Sequence, residues 1–490
     1  MGVQLKGQEA QQEPPPPTPP HTRSANALLA GEGSTASPLR GQRSFTAHPF
    51  LTVFAIALTV RLINVALLDS PNGFFAESDT LTYWALGTAL AHRESFWPTL
   101  SSLTDRMPLY PLLLAAAQTA FGNAPRVVAI AQAVIDAGTC ALIGALGSVI
   151  APSVGLLAGV LAAFSMTLIV LSSQILTDTV FVFFLAIWLA CTARSFLVGP
   201  TIPLATIAGL AGGMALATRS SVAPLLMAAA PLMLVTAVIK TRRIAHALLT
   251  AGLFAIAAGA PALPVVWRNA TVYGSVSLTS QTGDHLAFWI VPLVTQRANG
   301  TPYQDTVQRM QTLYEERLAH RSTSEQANPF VQSAVKTEVA QQAMARLPLA
   351  AFVEAWLEGM IVNVAAPALI ADARVRALAK PNFYATPGAS LWQRTQKYFF
   401  DDPGLYQILL GIGVIAMIPF ILLQAMGFVM LVRGLPFAAV LALGVLAYFL
   451  LLSGPVASPK YRLPIEPVLL VLGAIPLAAI ADRNGKRSCV

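Results

Sequence analysis

Residues 74–90 read FFAESDTLTYWALGTAL and place two carboxylates, Glu77 and Asp79, side by side in a chain where only 11% of residues are charged. A carboxylate at such a place can cap a helix, hold a cation or take the proton of a hydroxyl. Asp79 and Tyr83 fall in SDTLTYWALGTALA, which reads as a short helix opening at Ser78 or Asp79, so their side chains share one face. Glu77 precedes that start and reads as a solvated neighbour that could exchange roles with Asp79. Other ionisable residues lie in or against long apolar runs: Arg61, Asp178 in SSQILTDTVFVFFLAIWL, Arg219 and Arg268. Such groups are costly in a bilayer and therefore point to function. Asp136, alone in AQAVIDAGTCAL, reads instead as an inter-helix hydrogen-bond partner.

The elements that must position these residues follow from composition. The 490 residues are 55% apolar with a mean hydropathy of +0.62, which describes an integral membrane protein. The net charge of +8 flanks apolar runs and includes no basic cluster interleaved with aromatics, so it is topogenic and excludes a nucleic-acid partner. Cys140 and Cys191 sit inside apolar runs and Cys489 is next to last, which leaves no disulfide framework. Residues 1–48, with QEPPPPTPPHTR and GEGSTASPLRGQR, read as a disordered cytoplasmic tail. Apolar runs at 49–68, 127–149, 152–171, 179–198, 203–219, 221–239, 246–266, 405–432, 435–453 and 463–481 read as membrane spans.

Two further stretches, 108–121 and 347–370, read as interfacial helices, the second carrying Glu354 and Glu358. With both kept out of the span count, Arg194, the Lys240 cluster and Arg433 share the cytoplasmic face. The expected fold is an all-α polytopic membrane protein of about 10–12 transmembrane helices. Its parts are a transmembrane module over 49–266 with a first outer loop at 69–126, an extracytoplasmic segment over 267–404, and C-terminal helices over 405–490. Arg61, Asp79, Asp178, Arg219 and Arg268 then face the same outer side. Acids and arginines at an outer leaflet suit chemistry on a phosphate-bearing lipid, where guanidinium forks neutralise phosphate and a carboxylate accepts a hydroxyl proton.

In order and sidedness these segments resemble the GT-C glycosyltransferases that use polyprenyl-phosphate sugars, in the branch near protein O-mannosyltransferases, the lipid A aminoarabinose transferase and rhizobial-type galacturonosyltransferases. The resemblance rests on VRLINVALL, ESDTLTYWALGTAL, DRMPLYPLLLAAAQTAFG, SSQILTDTVFVFFLAIWL, GLAGGMALATRSS, PVVWRNATVYGSVSLTSQTGDHLAFW and YRLPIEPVLLV. It implies a catalytic base at Asp79, a supporting acid at Asp178 with Glu77 as the other loop acid, and lipid-phosphate contacts among Arg61, Arg219 and Arg268. Tyr83, Asn269, His285 and Arg462, in the same segments, join the substrate-binding candidates. The implied partners are a polyprenyl-phosphate-linked sugar donor, a lipid or glycan acceptor and membrane lipids, at a plasma (inner) membrane with the site facing outward. Family members often have adjacent Asp-Glu in the first loop, whereas here Thr80 follows Asp79 and Glu77 precedes it. That departure counts against the family's acid-pair logic and against a metal role, and a divalent metal ion stays a candidate cofactor only.

The sequence contains no G-x-x-x-x-G-K-[ST] loop and no H-E-x-x-H site, and GLAGGMALA at 209–217 reads as small-residue helix packing. The rival reading is a secondary transporter or lipid-linked-sugar flippase, for which matching halves and broken midplane helices are expected. The charges gather at one face instead.

Overall fold

Each of the ten runs expected to span a membrane forms helix, and the described residues contain no strand. The computed structural model describes residues 48–68, 71–75, 78–381, 386 and 391–487. The expected tail, apart from His48, lies outside the described residues, as does Glu77.

The chain runs α1 (His48–Ala66), a 3-10 turn (Pro71–Phe74), α2 (Ser78–Ala91), α3 (Arg93–Ser102), α4 (Leu109–Phe121), α5 (Pro125–Ser148), α6 (Pro152–Ala163), α7 (Met166–Ser172), α8 (Asp178–Leu197), α9 (Ile202–Thr218), α10 (Ala223–Thr241), α11 (Ile244–Gly259) and α12 (Leu263–Tyr273). Shorter helices follow: α13 (Thr282–His285), α14 (Val291–Asn299), α15 (Tyr303–Ala319), α16 (Thr323–Gln326), α17 (Pro329–Met344), α18 (Leu349–Ala365), α19 (Ala373–Arg376) and α20 (Leu391–Phe400). The chain ends in α21 (Leu405–Gly434), α22 (Pro436–Ser453) and α23 (Glu466–Arg487). Proline in the first turn starts α5, α6 and α22, where its missing N–H has no intrahelical acceptor to lose.

Among the described residues, seven helices are long and apolar enough to cross a membrane, and nine if each of two bent pairs counts as one span. The run at 152–171 is one bent pair, turned by 48° between α6 and α7. Ser165 takes an extended backbone there and its hydroxyl donates to Glu466 Oε1 at 2.8 Å. The run at 203–219 gives α9, a shorter apolar helix. The seventh run continues as Ile244–Tyr273 until Gly274, at φ 67°, turns the chain in the left-handed region. The boundary drawn at 267 therefore falls inside a helix, and Arg268 rides on its end. The other bent pair, α17 and α18, turns by 114° before Pro348.

Small residues set the closest approach in the bundle. A Cβ on Gly209 would lie 2.4 Å from the Phe254 carbonyl oxygen, and one on Gly213 would lie 2.7 Å from that of Ala258. GLAGG thus lets α9 and α11 pack backbone to backbone, as small residues do in membranes. A separate apolar cluster joins Val65, Phe74, Tyr110, Leu114, Val128 and Ile175, with Tyr83 and Trp84 packed against it. It seats α2 and α4 on the ends of α1, α5 and α8, and so fixes where the first loop stands.

Candidate active site

Asp79 lies in the first turn of α2, where unsatisfied N–H groups favour a negative charge. Its Oδ1 accepts from Arg106 Nη2 at 3.0 Å and its Oδ2 from Lys460 Nζ at 3.5 Å. The side chain is 43% exposed, against 13% for Arg106 and 12% for Lys460, so the carboxylate opens outward from a base of partly buried cations. Arg106 also pairs with Asp105, and its guanidinium lies 5.1 Å from the centre of the Tyr83 ring. Tyr83 stands edge to face with Tyr110 at 5.4 Å, and the Tyr110 hydroxyl donates to Gln132 Oε1 at 2.7 Å. Gln132 in turn donates to the carbonyls of Ser172 and Gln174, so a buried polar chain supports the Tyr83 ring from below.

A second ion pair stands beside the first. Arg219, extended between α9 and the start of the next helix, donates to Asp178 Oδ1 at 2.7 Å. Asp178 is fully buried and its Oδ2 has no protein partner, although buried polar atoms are as a rule bonded. The two pairs close on the same phenols: Tyr83 feels Arg106, Arg219, Asp79 and Asp178, and Tyr461 feels Lys460, Arg219, Asp178 and Asp79. Burial pushes both phenols above their ordinary value. Burial alone would raise Asp79 too, but Lys460 and then Arg106 outweigh it and hold the carboxyl below the usual 3.8.

Of the residues expected from sequence, the structure brings together Asp79, Tyr83, Asp178 and Arg219. Arg61 goes elsewhere: it is 1% exposed and donates to Asp136, to the carbonyls of Ala162 and Ala163 and to Cys140 Sγ, which makes Asp136 the inter-helix partner it resembled, though not a solitary one. Arg462 donates to Glu466 at 2.6 Å and to the Val364 carbonyl, in a pair whose side chains are both under 5% exposed. Arg268 and Asn269 bond to each other and to backbone. His285, in α13, is held below its ordinary pKa by burial alone.

Arg106, Asp105, Lys460 and Tyr461 were not singled out from sequence. Nothing in DRMPLYP or SPKYRLP sets Arg106 and Lys460 apart, because the outer segments carry many other Lys and Arg residues. The described acids offer no metal site. Among the described residues no three His, Cys, Asp or Glu side chains converge, and each of Asp79, Asp105 and Asp178 already faces a cation.

These features define an all-helical polytopic membrane protein with acids and bases gathered around two phenols. No protein-family model matches the chain, and no curated protein matches it. Two solved structures are similar over 88% of this chain and 78% of theirs, at 14% identity: ArnT from Cupriavidus metallidurans bound to undecaprenyl phosphate, with a TM-score of 0.36, and the same protein in the apo state, at 0.35.

Proposed function

We propose that the chain is a GT-C-type glycosyltransferase of a plasma membrane that moves a sugar from a polyprenyl-phosphate donor to a lipid or glycan acceptor on the extracytoplasmic side, with inversion. The observation that carries this reading is the half-exposed Asp79 carboxylate shared by Arg106 and Lys460, next to the Asp178–Arg219 pair with its unpartnered Oδ2. The motif order described above supports it.

Asp79 takes the proton of an acceptor hydroxyl while that oxygen attacks the anomeric carbon of the donor sugar. The bond from that carbon to the phosphate oxygen breaks, and its electron pair leaves with the polyprenyl phosphate. Attack opposite the departing group inverts the centre. The phosphate leaves as an anion and requires cations rather than a proton, which Lys460, Arg106 and Arg219 provide. The depressed pKa keeps Asp79 ionised, and the hydroxyl becomes acidic enough to release its proton as the new bond forms. Asp178 holds Arg219 in place among these cations.

Purified protein in liposomes, supplied with a polyprenyl-phosphate sugar and an envelope glycolipid extract, tests the proposal. The expected result is an acceptor heavier by one sugar of inverted anomeric configuration, together with free polyprenyl phosphate. Movement of intact donor across the bilayer without sugar transfer would establish the transporter reading instead.

A further inference from the structure

Arg268 and Asn269 stand where the resemblance places donor-phosphate contacts, yet their polar atoms are committed to the chain itself. Asn269 is fully buried. Its Nδ2 donates to the carbonyls of Ser277 and Leu278 at 2.7 and 3.3 Å, and its Oδ1 accepts from both Nε and Nη2 of Arg268 at 2.9 and 2.7 Å. The remaining arm of the guanidinium, Nη1, donates to the Leu100 carbonyl at 2.8 Å. One turn on, the Tyr273 hydroxyl donates to the Ser101 carbonyl at 3.1 Å. The stretch that Asn269 holds then reaches the loop that leaves α3: Ser280 N–H donates to the Thr104 carbonyl at 2.8 Å, and the two hydroxyls lie 3.4 Å apart. Thr104 immediately precedes Asp105 and Arg106.

We infer that Arg268 and Asn269 form a positioning knot, which grips the backbone of residues 100–104 from two sides and thereby sets Arg106 against Asp79 and over Tyr83. Residues 103–108 join α3 to α4 without a helical ladder of their own, so their placement depends on such side-chain anchors. Arginine is needed because one planar fork serves Asn269 through two N–H groups and Leu100 through a third; lysine keeps the charge but has no such fork. The consequence for catalysis rests on the function proposed above, whereas the grip on the loop does not.

Hydrogen exchange of the full-length protein in detergent, followed by peptide mass analysis, reads the grip directly. In Arg268→Lys the peptide covering 100–108 should exchange about tenfold faster while peptides from α5 and α8 keep their protection. Tyr273→Phe, which removes a single anchor and no charge, should show the same change at about threefold. Unchanged exchange in both variants overturns the knot whatever the protein catalyses.

The second readout is the acid limb of the pH–rate profile for transfer. Asp79 faces Arg106 and Lys460 in contact, with Tyr83, Tyr461, Arg219 and Asp178 around it. Loosening Arg106 should move that limb upward in Arg268→Lys, with the KM for donor changed less than about threefold. A tenfold rise in donor KM with the limb unmoved would instead make Arg268 a phosphate ligand and refute the positioning role. An acid limb that persists in Asp79→Asn would refute the proposed base, leaving hydrogen exchange to decide the knot.

Discussion

Arg61–Asp136 and Asp79–Arg106 are built from the same residue types and do opposite work. Inside the bundle, Arg61 Nε meets Asp136 Oδ2 at 2.7 Å with both side chains at most 2% exposed, and the other guanidinium arms bond the carbonyls and thiol around them. At the start of α2, the Asp79 carboxylate meets one cation at 3.0 Å and another at 3.5 Å while 43% of its side chain stays open. The first pair is shut inside the bundle, away from any ligand; the second has lone pairs and a route to them. A charged residue beside an apolar run therefore signals chemistry only where part of its bonding capacity faces out of the protein. Otherwise it joins helices.

The largest effect expected from breaking this contrast is on folding. Asp136→Ala strands the Arg61 guanidinium in the bundle and should cost about 3–5 kcal/mol, whereas Arg61→Met combined with Asp136→Leu should recover most of that loss. Thermal unfolding in detergent would measure both. A mild effect of Asp136→Ala alone would show that water or lipid headgroups reach the pair.

Lys460 sharpens the other side of the comparison. Its replacement by Met removes the first of the two charges that lower Asp79 and leaves burial, which raises it. The base works deprotonated, so activity falls as pH drops through its pKa. In the parent protein that limb should lie below the usual carboxylate range, with rate flat from this group at neutral pH; in Lys460→Met it should move upward, and the KM for donor should rise about tenfold. A limb that stays in place would separate Lys460 from Asp79.

The smallest effect belongs to an exposed pair. Arg297 meets Glu354 at 3.0 Å with both side chains about half exposed, so Arg297→Ala should change stability by less than about 1 kcal/mol. A larger loss would place that contact in a drier setting than its exposure indicates.

How much of this could be read from the chain follows the same contrast. Spans were legible because hydropathy is local, and the pairing of Asp79 with Tyr83 was legible because both lie on one helical face. Asp178 and Arg219 were legible as ionisable groups at the same end of adjacent spans. Pairings across long separations were not: 75 positions part Arg61 from Asp136, and 381 part Asp79 from Lys460. The chain does not show the partner of Arg61 for that reason, since an arginine in an apolar run looks the same whether it faces a phosphate or an aspartate on a packed helix. Arg462 and Glu466 were nearer to hand, four residues apart across the start of α23, a spacing that predicts a pair. Glu77 lies outside the described residues, so its standing against Asp79 rests on the chemistry of variants.

That chemistry gives the most direct measurement. In Asp79→Asn the shape of the side chain persists and the basic oxygen is replaced by an amide, so the protein should fold and bind polyprenyl-phosphate sugar as the parent does. Transfer to acceptor in liposomes should fall by about 10² to 10⁴-fold, roughly 3–5 kcal/mol of barrier, with Glu77→Gln close to the parent. Near-normal transfer by Asp79→Asn, with transfer lost in Glu77→Gln or Asp178→Asn instead, would contradict the account and move the base to the acid whose loss abolishes it.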